Sequence, residues 1–250
     1  MKETLSNVME VGEQMLLCGA EVHRVEEGIK RMCLALGAVR TDVFIITSSM
    51  VVTVYNQKGE YFTQTRRVMS SGTDYEKLNR LNALCREISA GKIPAEEIKT
   101  KCREAVQVKH YPFALECVCY SVIAGAFTLF FGGTVTQMAV SLFAGAAVRF
   151  VILLCEKTVP SKMFSKFLSC ATATLIAFIA VKLCIIGDVD KVVIGNIMSL
   201  IPGIGLTNAL RDLFTGDSIA GILRSVEAVL TALAIAAGYF LIAVLGGFLI

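Results

Sequence analysis

The sequence lacks the features that several classes of protein require. It contains two histidines, His23 and His110, and no G-x-S-x-G motif, so a serine hydrolase is a weak interpretation. No Lys- or Arg-rich block is present, which argues against nucleic-acid binding. The close cysteine pair Cys117 and Cys119 has no second pair or histidine nearby, so we expect no metal and no cofactor. The N-terminal residues lack the apolar stretch of a cleavable signal, and we expect none.

Long apolar runs dominate the second part of the chain. The mean hydropathy is +0.66 and 55% of the residues are hydrophobic, which exceeds the composition of an ordinary soluble domain. Of the 24 basic and 21 acidic residues, 16 and 14 lie in residues 1–112. The sequence therefore predicts a soluble domain at residues 1–112 and a membrane domain at residues 113–250.

The first 112 residues combine helical and strand patterns. Apolar residues recur every three or four positions from Leu5 to Leu36, which predicts one long helix that ends at Gly37. Three runs rich in β-branched and aromatic residues follow, and two helical segments come after them. We predict an α+β domain with one helix, two or three strands and two further helices.

Five apolar runs of the second part predict membrane spans, because about 20 residues cross a bilayer. The predicted spans are residues 113–131, 134–154, 167–187, 191–206 and 219–249. Lys157, Lys162 and Lys166 lie between the second and third spans, and Arg211 and Arg224 lie between the fourth and fifth or just beyond. The positive-inside rule then places the N-terminus in the cytoplasm and the C-terminus outside.

A helix-breaking sequence ends the fourth run, which is short. Pro202, Gly203 and Gly205 should interrupt the helix and free backbone groups there. Backbone and polar groups at membrane depth need partners in protein or in a wet cavity, as in the substrate sites of transporters. The break therefore points to a transport protein.

Three polar side chains follow the break on one helical face, Asn208, Arg211 and Asp212. We expect Asn208 and Arg211 to bind a small carboxylate substrate, and Asp212 to take up a proton. The alternative interpretation is a cytoplasmic loop whose ion pairs orient the two neighbouring spans.

Two further positions extend this candidate site. Asn196 lies inside the fourth run, where it would bind substrate or form a hydrogen bond across helices. Arg224 and Glu227 are three residues apart near the start of the last span, so we expect them to pair. We assign Arg224 to gating or domain docking, and Glu227 is a second candidate for proton coupling.

A dense polar cluster lies within the predicted first helix. It includes His23, Arg24 and Glu26, to which we assign gating or domain docking. The alternatives are a solvated helix flank, a membrane-anchored cytoplasmic hydrolase that uses His23 and Glu26, and a regulatory module.

Two segments resemble the threonine/serine exporter family. They are Ala20-Glu21-Val22-His23-Arg24-Val25-Glu26 and Ile201-Pro202-Gly203 through Thr207-Asn208-Ala209-Leu210-Arg211-Asp212-Leu213 to Gly216-Asp217 and Gly221. The resemblance implies a proton-coupled inner-membrane exporter of small amino acids or dicarboxylates with a cytoplasmic N-terminal domain. Because five spans are half the number in long members, the chain is similar to the longer subunit of the split, succinate-exporting form.

These observations combine into one prediction. The expected fold is an all-α membrane bundle of about five transmembrane helices with an N-terminal cytoplasmic α+β domain. The expected function is export, without enzyme activity, of threonine or serine, or of succinate. The expected partners are the substrate, the lipid bilayer, and a second, smaller membrane subunit or further copies of the chain.

Overall fold

The computed structural model describes residues 1–69, 72–108, 111–158 and 161–247, which form helices and one small sheet. In chain order the elements are α1 (Lys2–Leu17), α2 (Val22–Ala35), β1 (Arg40–Ile46), β2 (Ser49–Tyr55), β3 (Tyr61–Arg67), α3 (Tyr75–Ser89), α4 (Ile98–Val106), α5 (Phe113–Phe130), α6 (Val135–Thr158), α7 (Lys162–Lys182), α8 (Asp190–Ile197), α9 (Gly203–Phe214) and α10 (Ser218–Gly247).

The chain divides into two compact units. Unit 1 comprises Met1–Lys109 and Leu206–Ser225, and unit 2 comprises His110–Gly205 and Val226–Ile250. Unit 1 therefore takes in α9 and the start of α10, which are distant in sequence from its other elements. The predicted assignment of residues 1–112 to the cytoplasm and of 113–250 to the membrane stays a prediction.

Two helices of unit 1 replace the single helix predicted from Leu5 to Leu36, so that prediction is wrong. The chain turns at residues 18–21, where Gly19 has a φ of +88°. A Cβ at Gly19 would lie 2.6 Å from the carbonyl oxygen of Gly72, so the turn requires glycine. Cys18 and Ala20 stay buried through the turn, which explains why the apolar spacing continues without a visible break.

The small sheet of unit 1 is antiparallel, with strand order β1-β2-β3. The loop between β2 and β3 is closed by Asn56, whose Oδ1 accepts hydrogen bonds from the amides of Lys58 and Glu60, both at 2.9 Å. Met50, Val52 and Val54 alternate along β2 toward the core. Strands β2 and β3 therefore form a hairpin that Asn56 closes.

The core of unit 1 lies between that face of the sheet and the helices. Fully buried side chains of α1, α2 and α3 meet β2, among them Met9, Ile29 and Leu81. Asp74 caps α3 by accepting a hydrogen bond from the Lys77 amide at 3.0 Å. Burial of these apolar side chains is the main force that holds unit 1 together.

Unit 2 consists of long apolar helices. Within the described residues, four helices are long and apolar enough to cross a membrane: Phe113–Phe130, Val135–Thr158, Lys162–Lys182 and Ser218–Gly246. The predicted fourth span, residues 191–206, is instead the eight-residue helix α8, a break, and the start of α9. A helix of this length rises about 12 Å, less than half of the roughly 30 Å hydrocarbon core. The number of crossings stays a prediction.

Helix α8 packs closely among α5, α6 and α7. A Cβ at Gly195 would clash with the Thr128 hydroxyl and would lie 2.7 Å from the Ala124 carbonyl oxygen. That hydroxyl forms buried hydrogen bonds with Ser141 at 2.6 Å and with the Ala124 carbonyl at 2.9 Å. Small residues at this contact allow the backbones of α5 and α8 to approach, as in other membrane helix pairs.

The chain after α8 runs toward the middle of unit 2. The side-chain amide of Gln137 at the start of α6 contacts Asp188 at 3.2 Å, so α8 begins near that end of the bundle. Leu200 is fully buried against Val148 and Ala173, which lie midway along α6 and α7. Leu200 therefore lies deep among apolar helices, whereas Ile201 directly after it is exposed.

We predict that Gly195→Ala loosens this contact and lowers the free energy of unfolding of the purified chain by about 1–3 kcal/mol, because the new methyl group displaces the Thr128 hydroxyl. A lower unfolding temperature would show this loss. Gly187→Ala is the matched control, since a Cβ there meets no atom within 4 Å. Equal unfolding temperatures for both variants would contradict the close packing of α8.

Candidate functional site

The turn at residues 18–21, here called the Ala20 turn, is the centre of a charged cluster in unit 1. From α10, Arg224 donates through Nη2 to the Ala20 carbonyl oxygen at 2.8 Å. Its Nη1 lies 3.1 Å from Oδ2 of Asp212 in α9. One guanidinium thus joins the start of α10, helix α9 and the turn between the first two helices.

Asp212 is almost completely buried, with 1% of its surface exposed. It lies one helical turn after Ala209, which is also buried, so both face inward from α9. Burial is the largest influence and raises the pKa of the Asp212 carboxyl. Arg224 lowers this pKa and the charges of Asp217 and Glu21 raise it, with a raised pKa as the net result. Asp212 is therefore a group that takes up a proton more readily than an ordinary aspartate.

Glu21 accepts the other cations of the cluster. Arg211 Nη1 donates to its Oε1 at 2.8 Å, and Arg24 Nε lies 3.3 Å from its Oε2. The Glu21 side chain is 17% exposed, whereas those of Arg24 and Arg211 are 59% and 54% exposed. Two exposed guanidiniums therefore share one carboxylate that is mostly buried.

A cavity of about 270 Å³ opens beside these charges. Its polar lining comes from Glu21 and Arg24 at the Ala20 turn, from Asn79 and Asn82 in α3, and from Asn208 in α9. The remaining lining residues are Gly19, Ala20, Tyr75 and Leu78. The sequence-predicted residue Asn208 is thus placed in a polar cavity.

The predicted gating residues of α2 lie on different sides of that helix. Glu26 accepts a hydrogen bond from the Ile45 amide at 2.8 Å and so links α2 to β1. Burial raises the pKa of the Glu26 carboxyl; the Ile45 amide and His23 lower it, and Asp217 raises it. His23 is exposed. Arg24 belongs to the cavity, so the structure separates Arg24 from Glu26.

The remaining predicted site residues have different environments. Asn196 of α8 is fully buried in unit 2; its Nδ2 donates to the Val192 carbonyl at 2.8 Å, and its Oδ1 has no hydrogen bond among the described residues. Glu227 also belongs to unit 2 and is exposed. Arg224 pairs with Asp212 rather than with Glu227, contrary to the predicted pairing. Pro202 directly precedes α9, as expected of a helix break.

Helix α9 begins at Gly203, so Gly205 lies inside it and does not interrupt it. Sequence reasoning also missed Glu21 as a site residue, although it belongs to the cluster from Ala20 to Glu26. Helical spacing could not identify its partner Arg211, because 190 residues separate the two positions.

We predict that Arg224→Ala destabilises the chain by about 3–5 kcal/mol, because it leaves the buried Asp212 carboxylate without its cation. The loss should shrink as the pH is lowered from about 8 to about 5, since an unpaired carboxyl with a raised pKa then takes up a proton. Thermal unfolding of the purified protein measures both effects.

Arg211→Ala is the matched control for this prediction. It also removes one arginine from one carboxylate, but an exposed pair contributes only about 0–1 kcal/mol. Adding Asp212→Asn to Arg224→Ala should restore most of the lost stability. Equal effects of the two arginine substitutions would contradict the importance of burial.

Comparison with known proteins finds one family that matches this chain. The model of one family, described as "Putative threonine/serine exporter", matches residues 6–246. No curated protein and no solved structure matches the chain. Because the match extends over nearly the whole sequence, this chain belongs to the threonine/serine exporter family.

Proposed function

We propose that this chain is the larger subunit of a proton-coupled exporter of threonine, serine or a related small carboxylate in the inner membrane. Its family membership and its apolar helices make it a multi-pass membrane transporter. The substrate, the coupling ion, the partner and the membrane are parts of the proposal.

The observation that carries proton coupling is the buried pair of Asp212 and Arg224. When an ion pair is buried, the free energy lost by removing both charges from water can exceed the free energy gained from their attraction, so such a pair contributes little to stability. The net rise in the Asp212 pKa agrees with this balance. A carboxylate held at this cost is a reasonable proton acceptor for a transport cycle.

Protonation of Asp212 would change the link between three elements. A neutral carboxyl attracts Arg224 less, so the start of α10 would be released from α9 while it keeps its hydrogen bond to Ala20. Helix α9 directly follows the break at residues 198–202, and α10 is a candidate membrane span. Proton uptake by Asp212 would therefore loosen the contact between α9, which follows the break after α8, and α10, which is a candidate membrane span.

The substrate is proposed to contact two polar groups of α9. Arg211 supplies a cation and Asn208 supplies an amide. These groups suit a small molecule that carries a carboxylate and a hydrogen-bond donor. The role of Asn196 in substrate binding stays a prediction from the sequence; its buried carbonyl oxygen has no hydrogen bond among the described residues.

Chain connectivity supports five membrane crossings. The chain leaves unit 1 before α5 and rejoins it at Leu206. If unit 1 lies on one side of the bilayer, the number of crossings between these points is even. Helices α5, α6 and α7 supply three, so we assign the fourth to α8 with the following break, and the fifth to α10.

We predict that a reporter fused to the C-terminus lies on the outer side of the membrane, whereas one fused to the N-terminus lies in the cytoplasm. A fusion pair that signals translocation and cytoplasmic folding measures this, with a fusion in the α6–α7 connection as the cytoplasmic control. A cytoplasmic C-terminus would contradict the fifth crossing.

We predict that Asp212→Asn abolishes export driven by a pH gradient while it leaves substrate exchange at equal pH, because the amide cannot carry the proton. The measurement is efflux of labelled threonine from vesicles that contain the chain and its partner. Asp42→Asn is the matched control, since Asp42 is an exposed residue of β1.

Glu227→Gln tests the second candidate for proton coupling in the same vesicles. Loss of the pH dependence in Glu227→Gln but not in Asp212→Asn would move the coupling site to α10. Normal pH-driven export in both variants would exclude both residues.

The proposed partner would cover apolar side chains along α5. Val118 and Val122 are each 56% exposed and Phe130 is 77% exposed in the single chain. Lipid covers such a face as well as protein does, so the second subunit is argued chiefly from the resemblance to split exporters. The hydrolase alternative gains no support, because Glu26 is engaged by the Ile45 amide.

A further inference from the structure

We infer that the cavity beside the Ala20 turn is a binding site for a zwitterionic α-amino acid, and that it discriminates against a dicarboxylate. The inference rests on the proposed function for the choice between these two substrate classes. It assigns their discrimination to residues of unit 1.

The charges around the cavity match both ends of a zwitterion. Glu21 lies between Arg24 and Arg211, at 3.3 and 2.8 Å. A bound amino acid can insert into this arrangement, with its ammonium group at Glu21 and its carboxylate at a released guanidinium. One ion pair is thus replaced by two, and the net charge of the cluster is unchanged because a zwitterion carries no net charge.

A dicarboxylate fits the same groups less well than a zwitterion, because both of its charged groups are negative. Its second carboxylate would approach Glu21, and like charges brought together in a partly desolvated site repel each other. Both arginines would have to leave Glu21 to compensate, which would leave that mostly buried carboxylate without a cation. The cavity therefore favours a ligand that carries one charge of each sign.

Three amides provide the remaining polar contacts. Asn79 and Asn82 are three residues apart on α3 and so share a face, and Asn208 comes from α9. None of the three side chains has a hydrogen-bond partner within the part of the chain that the structure describes. Each amide offers two donors and an acceptor, which suits a carboxylate or a side-chain hydroxyl.

The size of the cavity agrees with a small ligand. Its volume of about 270 Å³ lies below the range of about 300–1,000 Å³ that is typical of sites for drug-sized molecules. A hydroxy amino acid of few heavy atoms fits this space, and the mouth remains open to solvent for exchange.

The test is calorimetric titration of the full chain in lipid nanodiscs with L-threonine, L-serine and succinate. We expect both amino acids to bind, and succinate to bind at least about 10-fold more weakly, since one unbalanced charge contact exceeds about 1.4 kcal/mol. Asn79→Ala and Asn82→Ala should each weaken threonine binding about 10-fold through the loss of a hydrogen bond to a charged group. Gln57→Ala, an exposed amide in the hairpin loop, should have no effect.

A second variant tests the role of the carboxylate. Glu21→Gln should reduce the preference for threonine over succinate to about 3-fold or less, because it removes the repulsion of the second carboxylate. Since Glu21 also orders both arginines, folding of this variant is checked by its thermal unfolding, and Asn79→Ala and Asn82→Ala test the cavity independently.

Three results would overturn the inference: no binding of either amino acid, threonine affinity unchanged in both asparagine variants, or tighter binding of succinate. Failure of the proposed function is distinguishable from these. If threonine binds and the asparagine variants weaken its binding, but the chain shows no pH-driven export, the exporter mechanism is refuted and the binding site stands. If the chain exports threonine and the asparagine variants bind it with normal affinity, the binding site is refuted and the exporter mechanism stands.

Discussion

The contact of Arg224 with Asp212 and with the Ala20 carbonyl is the interaction that attaches α9 and the start of α10 to the N-terminal part of unit 1. It joins residues that are more than 200 positions apart and so fixes the start of α10 against the N-terminal helices. Without it, α9 would be tied to the α1–α2 turn mainly by an exposed ion pair. The Asp212 carboxylate needs this cation, because an unpaired buried charge is far costlier than an unpaired exposed one.

The same contact links the stability of unit 1 to the proposed proton coupling. Burial raises the pKa of Asp212, so its ionised form is held at a cost in the folded state. By linkage, the stability associated with this group is greatest when it is protonated and decreases as the pH rises through its raised pKa. A carboxyl group with a raised pKa, such as Asp212, takes up a proton more readily and is therefore better suited to proton exchange than a carboxylate whose charge is fully stabilised.

The membrane helices follow a different constraint. Between apolar helices the hydrophobic effect gives little preference, so close packing and polar contacts decide the arrangement. Gly195 brings α8 against α5, and the buried hydroxyls of Thr128 and Ser141 satisfy each other. Close contacts at small residues therefore hold the short helix α8 in place, and the chain breaks directly after it.

Local patterns determined much of this protein. The hairpin at Asn56, the cap at Asp74 and the long apolar helices follow from turn chemistry, capping and hydropathy, all of which act within a few residues. The helix break was predictable for a similar reason, since Pro202 cannot donate a backbone hydrogen bond. Tertiary structure decided the rest. The turn at Gly19 depends on the neighbouring Gly72 carbonyl, and the pairing of Arg211 with Glu21 and of Arg224 with Asp212 depends on long-range packing that helical spacing does not encode.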